Sequence, residues 1–184
     1  MATGHSGYSK TAITLHWLIA VLVLGNIFGA MYAEGIEGPQ RGTIMGLHKS
    51  VGMTVFGLTL WRIVIRVRQG FLSLPSHMKG WEVLLARLTH FGFYALLLAI
   101  PLSGWAFGST EKRPLVFFGL FEFPHTPLGE RARGVFHDIH APLGFLMLLL
   151  VVLHVLGALK HHVLDRDDIL ARMLPFLRKN RADA

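Results

Sequence analysis

Residues 139–164 read IHAPLGFLMLLLVVLHVLGALKHHVL, and this stretch decides the fold. Between Ala141 and Leu159 its only ionisable side chain is His154. About 20 helical residues cross the roughly 30 Å hydrocarbon core of a bilayer, and this run exceeds that length. It reads as a membrane-spanning helix. Ionisable groups at membrane depth are costly and mark a functional site by default, so His140 and His154 carry the second message of the stretch.

Working outward, three more runs are long enough to span. The first covers about Ala12 to Ala33 and carries no ionisable group of note but His16. No small-x-small cleavage pattern follows it, so it reads as a span and not as a signal peptide. The second runs from about Leu47 to Val67, with His48 at its start and Arg62 and Arg66 near its end. The third covers about Val83 to Phe107, with His90 in its first turns and Pro101 in its last. Neighbouring helices can satisfy the carbonyl that Pro101 frees, so the proline predicts a kink within a span. The fold class that follows is an all-α membrane protein, a four-transmembrane-helix bundle formed by one membrane domain over residues 1–184.

The connections are short at 34–46 and 68–82 and longer at 108–138. The last contains an apolar piece, Leu115 to Phe123, too short to span and suited to a surface cap. After Leu164, residues Ile169, Leu170, Met173, Leu174 and Leu177 sit at helical spacing among Arg and Lys. That pattern predicts an amphipathic interfacial helix over about 166–178.

Composition agrees. The chain has 184 residues, 52% hydrophobic and 16% charged, against about 25% charged in soluble domains. It lacks cysteine, which excludes disulfides, thiolate-bound zinc and iron–sulfur clusters. The net charge of +7 comes from basic residues flanking the spans, which points to juxtamembrane charge and not to nucleic acid. Lys10, Arg62, Arg66, Arg68, Lys79, Arg87, Lys160, Arg166, Arg172, Arg178, Lys179 and Arg181 fall on one side. Only Arg41, Lys49, Lys112, Arg113, Arg131 and Arg133 fall on the other. The positive-inside rule then predicts that both termini are cytoplasmic.

The histidines set the chemistry. His140 and His154 are fourteen residues apart, nearly four turns, so they share a helix face about 21 Å apart along the axis. One helix thus offers one ligand to each of two stacked sites. By depth, His16 pairs with His154 and His48 with His140. Neutral imidazoles on opposite sides of a haem iron suit an apolar bundle. Gly52 and Gly144 lie four residues after His48 and His140, on the same faces. Glycine there leaves room for a flat macrocycle, or else permits close helix packing, as Gly25 and Gly29 could. Two other readings of the histidines are interhelical hydrogen bonds and a metal held without haem. Four residues at two matched depths weigh against the first, and the lack of carboxylates or thiolates weighs against the second. His90 is a spare at the depth of His16. It could replace that ligand, bond a propionate or quinone, or simply pack, and a non-ligand role is favoured.

Several pieces resemble the bacterial di-haem cytochrome b(561) family. They are LHWL at 15–18, GLHKSVG at 46–52, LWRIVIRVR at 60–68, the last-helix run from His140 to His162, and DDILARMLP at 167–175. The likeness runs from about Tyr8 to Pro175 and is weakest over 108–138. The resemblance implies two haem b groups on His16, His48, His140 and His154, in the bacterial inner membrane. It also implies superoxide as electron donor and ubiquinone as acceptor, the quinone site lying near the cytoplasmic haem with His161 as its first residue. Trp17 and His90 are further quinone candidates, although Trp17 also suits an interfacial anchor. Superoxide is an anion, so Lys49 and Arg133, with Arg41, Lys112, Arg113 and Arg131, would draw it to the outer face. The same charges could instead bind propionates or lipid headgroups. The rival function is a cytochrome b anchor subunit, passing electrons between a peripheral dehydrogenase or hydrogenase and the quinone pool.

Overall fold

The structure is a computed structural model, and it describes residues 8–70 and 78–177. Arg178, Lys179 and Arg181 of the charge count, the last residue of the 166–178 segment and positions 71–77 of the basic loop lie outside the described residues. Four long helices form the chain: α1 (Lys10–Glu34), α2 (Pro39–Gln69), α3 (Gly80–Gly108) and α4 (Glu130–Lys160). All four are long and apolar enough to cross a membrane.

Local chemistry sets where they begin. The Ser9 hydroxyl accepts from the Ala12 amide at 3.2 Å and caps α1. Pro39 opens α2 directly after Gly38, whose φ of 79° only glycine adopts freely. Glu82 accepts from the Lys79 amide at 2.8 Å at the start of α3. Helices α2 and α4 start eight and nine residues earlier than hydropathy predicts, at Pro39 and Glu130. Their polar first turns are helical but carry no apolar signal. Pro101 stands inside α3 without ending it.

The helices pack in chain order, α1 on α2, α2 on α3 and α3 on α4. No comparable packing joins α4 to α1 or α2. A layer of Ile19, Val55, Leu96, Leu97 and Met147 fills the centre of the bundle, with Met147 only 2% exposed. The outward faces, among them Val21, Phe91 and Phe145, are exposed and apolar, as a lipid-facing surface requires.

The apolar piece at 115–123 folds as an antiparallel hairpin of β1 (Leu115–Phe117) and β2 (Phe121–Phe123). Phe118 and Gly119, both with positive φ, form its tight turn. Ser50 anchors it: its hydroxyl accepts from the Phe118 amide at 3.0 Å and lies 3.2 Å from the Val116 carbonyl. The hairpin therefore sits over the start of α2, beside His48.

The C-terminal tail differs from the predicted amphipathic helix. Beyond α4 come a π-helical turn, His161–Asp165, and two 3-10 turns at Leu170–Arg172 and Pro175–Leu177. Arg166 adopts a left-handed conformation, φ 53°, and stops the helix. Pro175 has no amide to continue one. The tail folds back on α1, where the Trp17 indole N–H donates to the Met173 carbonyl at 2.9 Å.

Candidate haem-binding sites

The two depths read from α4 are both present. At the hairpin end, the His48 and His140 rings lie nearly perpendicular to each other with centroids 6.0 Å apart. At the end holding the described chain termini, His16 and His154 face each other at 6.2 Å. A metal–imidazole bond of about 2.0–2.1 Å places the metal about 3.2 Å from the ring centroid, so two imidazoles on opposite sides of one metal lie about 6.4 Å apart. Both pairs meet that spacing. Met147 stands seven residues from each α4 histidine, so the buried apolar layer separates the two depths.

The surroundings fit a flat macrocycle. A methyl group added at Gly144 would meet nothing within 4 Å, and one at Gly52 would meet only Asn26 Nδ2 at 3.9 Å. Gly25 and Gly29 likewise face open space, so none of the four mediates a tight helix contact.

Hydrogen bonds orient the hairpin-end imidazoles. The His48 Nδ1–H donates to the Asn26 carbonyl at 3.2 Å. Ser103 gives its hydroxyl proton to the Ile100 carbonyl at 2.8 Å and accepts from His140 Nδ1 at 2.9 Å. Both rings are then left with Nε2 as the free ligand atom, the arrangement by which outer partners fix a metal-binding tautomer. Gly104 completes this seat. A Cβ there would stand 2.9 Å from His140 Cε1. The sequence alone assigns α3 no ligand and only His90 as a residue near a site, and it does not single out Ser103 or Gly104. Two adjacent small residues between Leu102 and Trp105, within one turn after Pro101, are the available signal.

His154 has a second histidine neighbour. His90 lies 5.6 Å from it, and its Nδ1–H donates to the Ala86 carbonyl at 2.6 Å. That separation is shorter than two imidazoles on opposite sides of one metal need, whereas the His16 separation of 6.2 Å is close to it. Arg62 stands near this cluster, close enough to act electrostatically on His16, His90 and His154, and its Nη1 donates to the Ala12 carbonyl at 2.6 Å. It lies fourteen residues after His48, the same offset that separates the two α4 histidines.

The other candidates are placed as follows. Lys49 Nζ donates to the Gly108 carbonyl at 2.9 Å, tying α2 to the end of α3 beside His48. Arg133 donates to three loop carbonyls, those of Leu128, Ser109 and Thr126, at 2.8, 3.2 and 2.8 Å. Trp17 lies edge-on to His16 at 5.3 Å while bonding the tail. His161 Nδ1 lies 2.8 Å from Asp167 and 2.9 Å from Asp165, two carboxylates that sequence reading had not singled out.

Four spanning helices that present paired imidazoles at two depths define the frame of a membrane-bound b-type cytochrome. The chain belongs to the prokaryotic cytochrome b561 family, whose sequence model matches residues 7–176. Cytochrome b561 homolog 2 of Escherichia coli K12 is 34% identical over 180 residues, covering 91% of this chain and 90% of that protein. Cytochrome b561 homolog 1 of the same strain is 28% identical over 171 residues, covering 91% and 97%. The probable superoxide oxidase CybB of Yersinia pestis is 29% identical over 176 residues, covering 93% and 97%. The family carries out electron transfer, and membership implies haem b in a multi-pass membrane protein.

Proposed function

We propose that this protein holds two b-type haems in the bacterial inner membrane, oxidises superoxide at the periplasmic face and reduces ubiquinone near the cytoplasmic face. The single observation that carries the reading is the paired geometry, 6.0 and 6.2 Å, at two depths that one helix serves. His48 and His140 hold the periplasmic group, and His16 and His154 the cytoplasmic one. Haem, when bound, supplies one-electron chemistry across the bilayer. The balanced reaction takes two superoxide anions, one ubiquinone and two protons to two dioxygen molecules and one ubiquinol.

The chain's residues divide the remaining tasks. Lys49 sits beside His48 with Arg113 near enough to act on it electrostatically, a local positive field that favours an anion. Their repulsion is relieved when an anion arrives between them. At the opposite end His161 lies seven residues beyond His154, two turns along the same helix face. That places it below the cytoplasmic ligand pair, where a quinone headgroup can reach a proton donor.

The relative from Yersinia pestis, a probable superoxide oxidase, supports the choice of donor. The test is to generate superoxide enzymatically in the presence of the purified holoprotein and excess ubiquinone-1. Ubiquinol formation abolished by superoxide dismutase is the expected result. Ubiquinol formation equal with and without dismutase, or none, rejects superoxide as the donor.

A further inference from the structure

The ring nitrogen of His161 is shared by two carboxylates, an arrangement that packing alone does not call for. Nδ1 lies 2.8 Å from Asp167 Oδ2 and 2.9 Å from Asp165 Oδ2. Carboxylates only accept, so Nδ1 carries a proton and Nε2 remains for a ligand. All three side chains are well covered, with Asp167 only 6% exposed. The assembly is held from several directions. Asp167 Oδ1 accepts from the Ile169 amide at 3.0 Å, and Asp165 Oδ2 accepts from Lys160 Nζ at 2.7 Å. Lys160 also reaches Glu82 on α3. His161 and Asp165 open and close the π-helical turn, four residues apart, so their side chains fall on one face. Three carboxylates, those of Glu82, Asp165 and Asp167, surround one lysine and one histidine.

We propose that Asp167 and Asp165 make His161 the proton donor to the reduced quinone. This rests on the reading that a quinone binds at His161. The carboxylates fix the Nδ1–H tautomer and hold the ring in place while Nε2 takes a proton from the aqueous side. The Nε2–H bond then breaks, its proton forms the O–H bond on a quinone oxygen, and the imidazole returns to its neutral Nδ1–H form. Two such deliveries, with the two electrons taken from two superoxide anions, convert quinone to quinol. Asp165 and Asp167 are positioning residues in this scheme, and the logic is that of a carboxylate orienting a catalytic histidine.

The experiment uses the full-length holoprotein, reduced stoichiometrically with dithionite and mixed with ubiquinone-1, with reoxidation followed in H2O and D2O. Equilibrium binding of ubiquinone-1 is measured separately. Asp167→Asn should slow the maximal rate about 10–100-fold, leave ubiquinone-1 affinity within about twofold and raise the solvent isotope effect, and Asp167→Glu should restore most of the rate. Asp165→Asn should act in the same direction and more weakly, since Lys160 shares that carboxylate. His161→Leu separates the two claims. Wild-type reoxidation in His161→Leu overturns the quinone site itself. Slow reoxidation in His161→Leu with a wild-type rate in Asp167→Asn overturns only the carboxylate role. Should Asp167→Asn fail to assemble, Asp165→Asn carries the test, and a wild-type rate with a wild-type isotope effect in that variant overturns the carboxylate role.

Discussion

Ser103 and His140 are joined by a 2.9 Å hydrogen bond between helices α3 and α4, and the Ile100 carbonyl dictates its direction. Because Ser103 spends its proton on Ile100, His140 must donate. Ser103→Ala leaves the Nδ1–H without that partner, and outer partners of metal ligands are typically worth 10–100-fold in affinity. The prediction is faster haem loss from the hairpin-end site alone, read as hemin transfer to an apo-acceptor. Equal loss rates in both proteins would reject the role given to Ser103.

Gly104→Ala is predicted to cost more than its single methyl suggests. The new Cβ would stand 2.9 Å from His140 Cε1, so the ring must move. Overpacking of this kind costs about 1–3 kcal/mol, and here it falls on His140, a proposed haem ligand. Haem content by pyridine haemochrome should fall from two per chain toward one. By contrast Gly144→Ala has no steric neighbour in the protein, and any effect it shows would report the macrocycle.

The ligand assignment predicts a pattern of stoichiometries. Replacing His48 or His16 by Leu should each leave one haem, with different residual spectra. His140→Leu should resemble His48→Leu, and His154→Leu should resemble His16→Leu. His90→Leu should retain two. One haem in His90→Leu and two in His16→Leu would reverse the choice made from the 5.6 and 6.2 Å separations.

Arg62→Gln is predicted to lower one midpoint potential and spare the other. A unit charge about 10 Å from a redox centre, at an effective dielectric of about 20, is worth about 1.7 kcal/mol, or ~70 mV. Removing a cation disfavours the added electron, so the shift is downward, and it should be confined to the His16/His154 side. Redox titration resolves this. Equal shifts at both haems would show that Arg62 acts through the fold and not through its field.

Arg133 and Lys49 separate structure from steering. Arg133 offers a fork of donors to three carbonyls, which lysine cannot reproduce at the same charge. Arg133→Lys should lower thermal stability by about 2 kcal/mol while leaving the salt dependence of superoxide consumption unchanged. Lys49→Gln should weaken that salt dependence. If Arg133→Lys alters the salt dependence instead, Arg133 belongs to the anion's path.

Much of the bundle was legible because hydrophobicity and length are local properties. The span of α4 and its fourteen-residue histidine offset followed from residues 139–164 alone. What escaped was local geometry without an apolar signature. The polar turns Glu130–Asp138 and Pro39–Gly46 are helical, but a hydropathy reading sees only their charge and glycine. The tail failed for the opposite reason. Its apolar spacing suits a helix, but the left-handed Arg166 and the imino nitrogen of Pro175 divide it into short turns.

The sequence by itself determined four spans, two histidine depths and the residues that share each depth. It could do so because a helix converts residue number into height and angle. Height alone left His90 and His16 equivalent. Only the tertiary structure set their distances to His154 and brought Ser103 and Gly104 against His140. It also curled Asp165 and Asp167 under His161. Those contacts depend on how separate segments are turned toward one another, and no spacing along one chain encodes that.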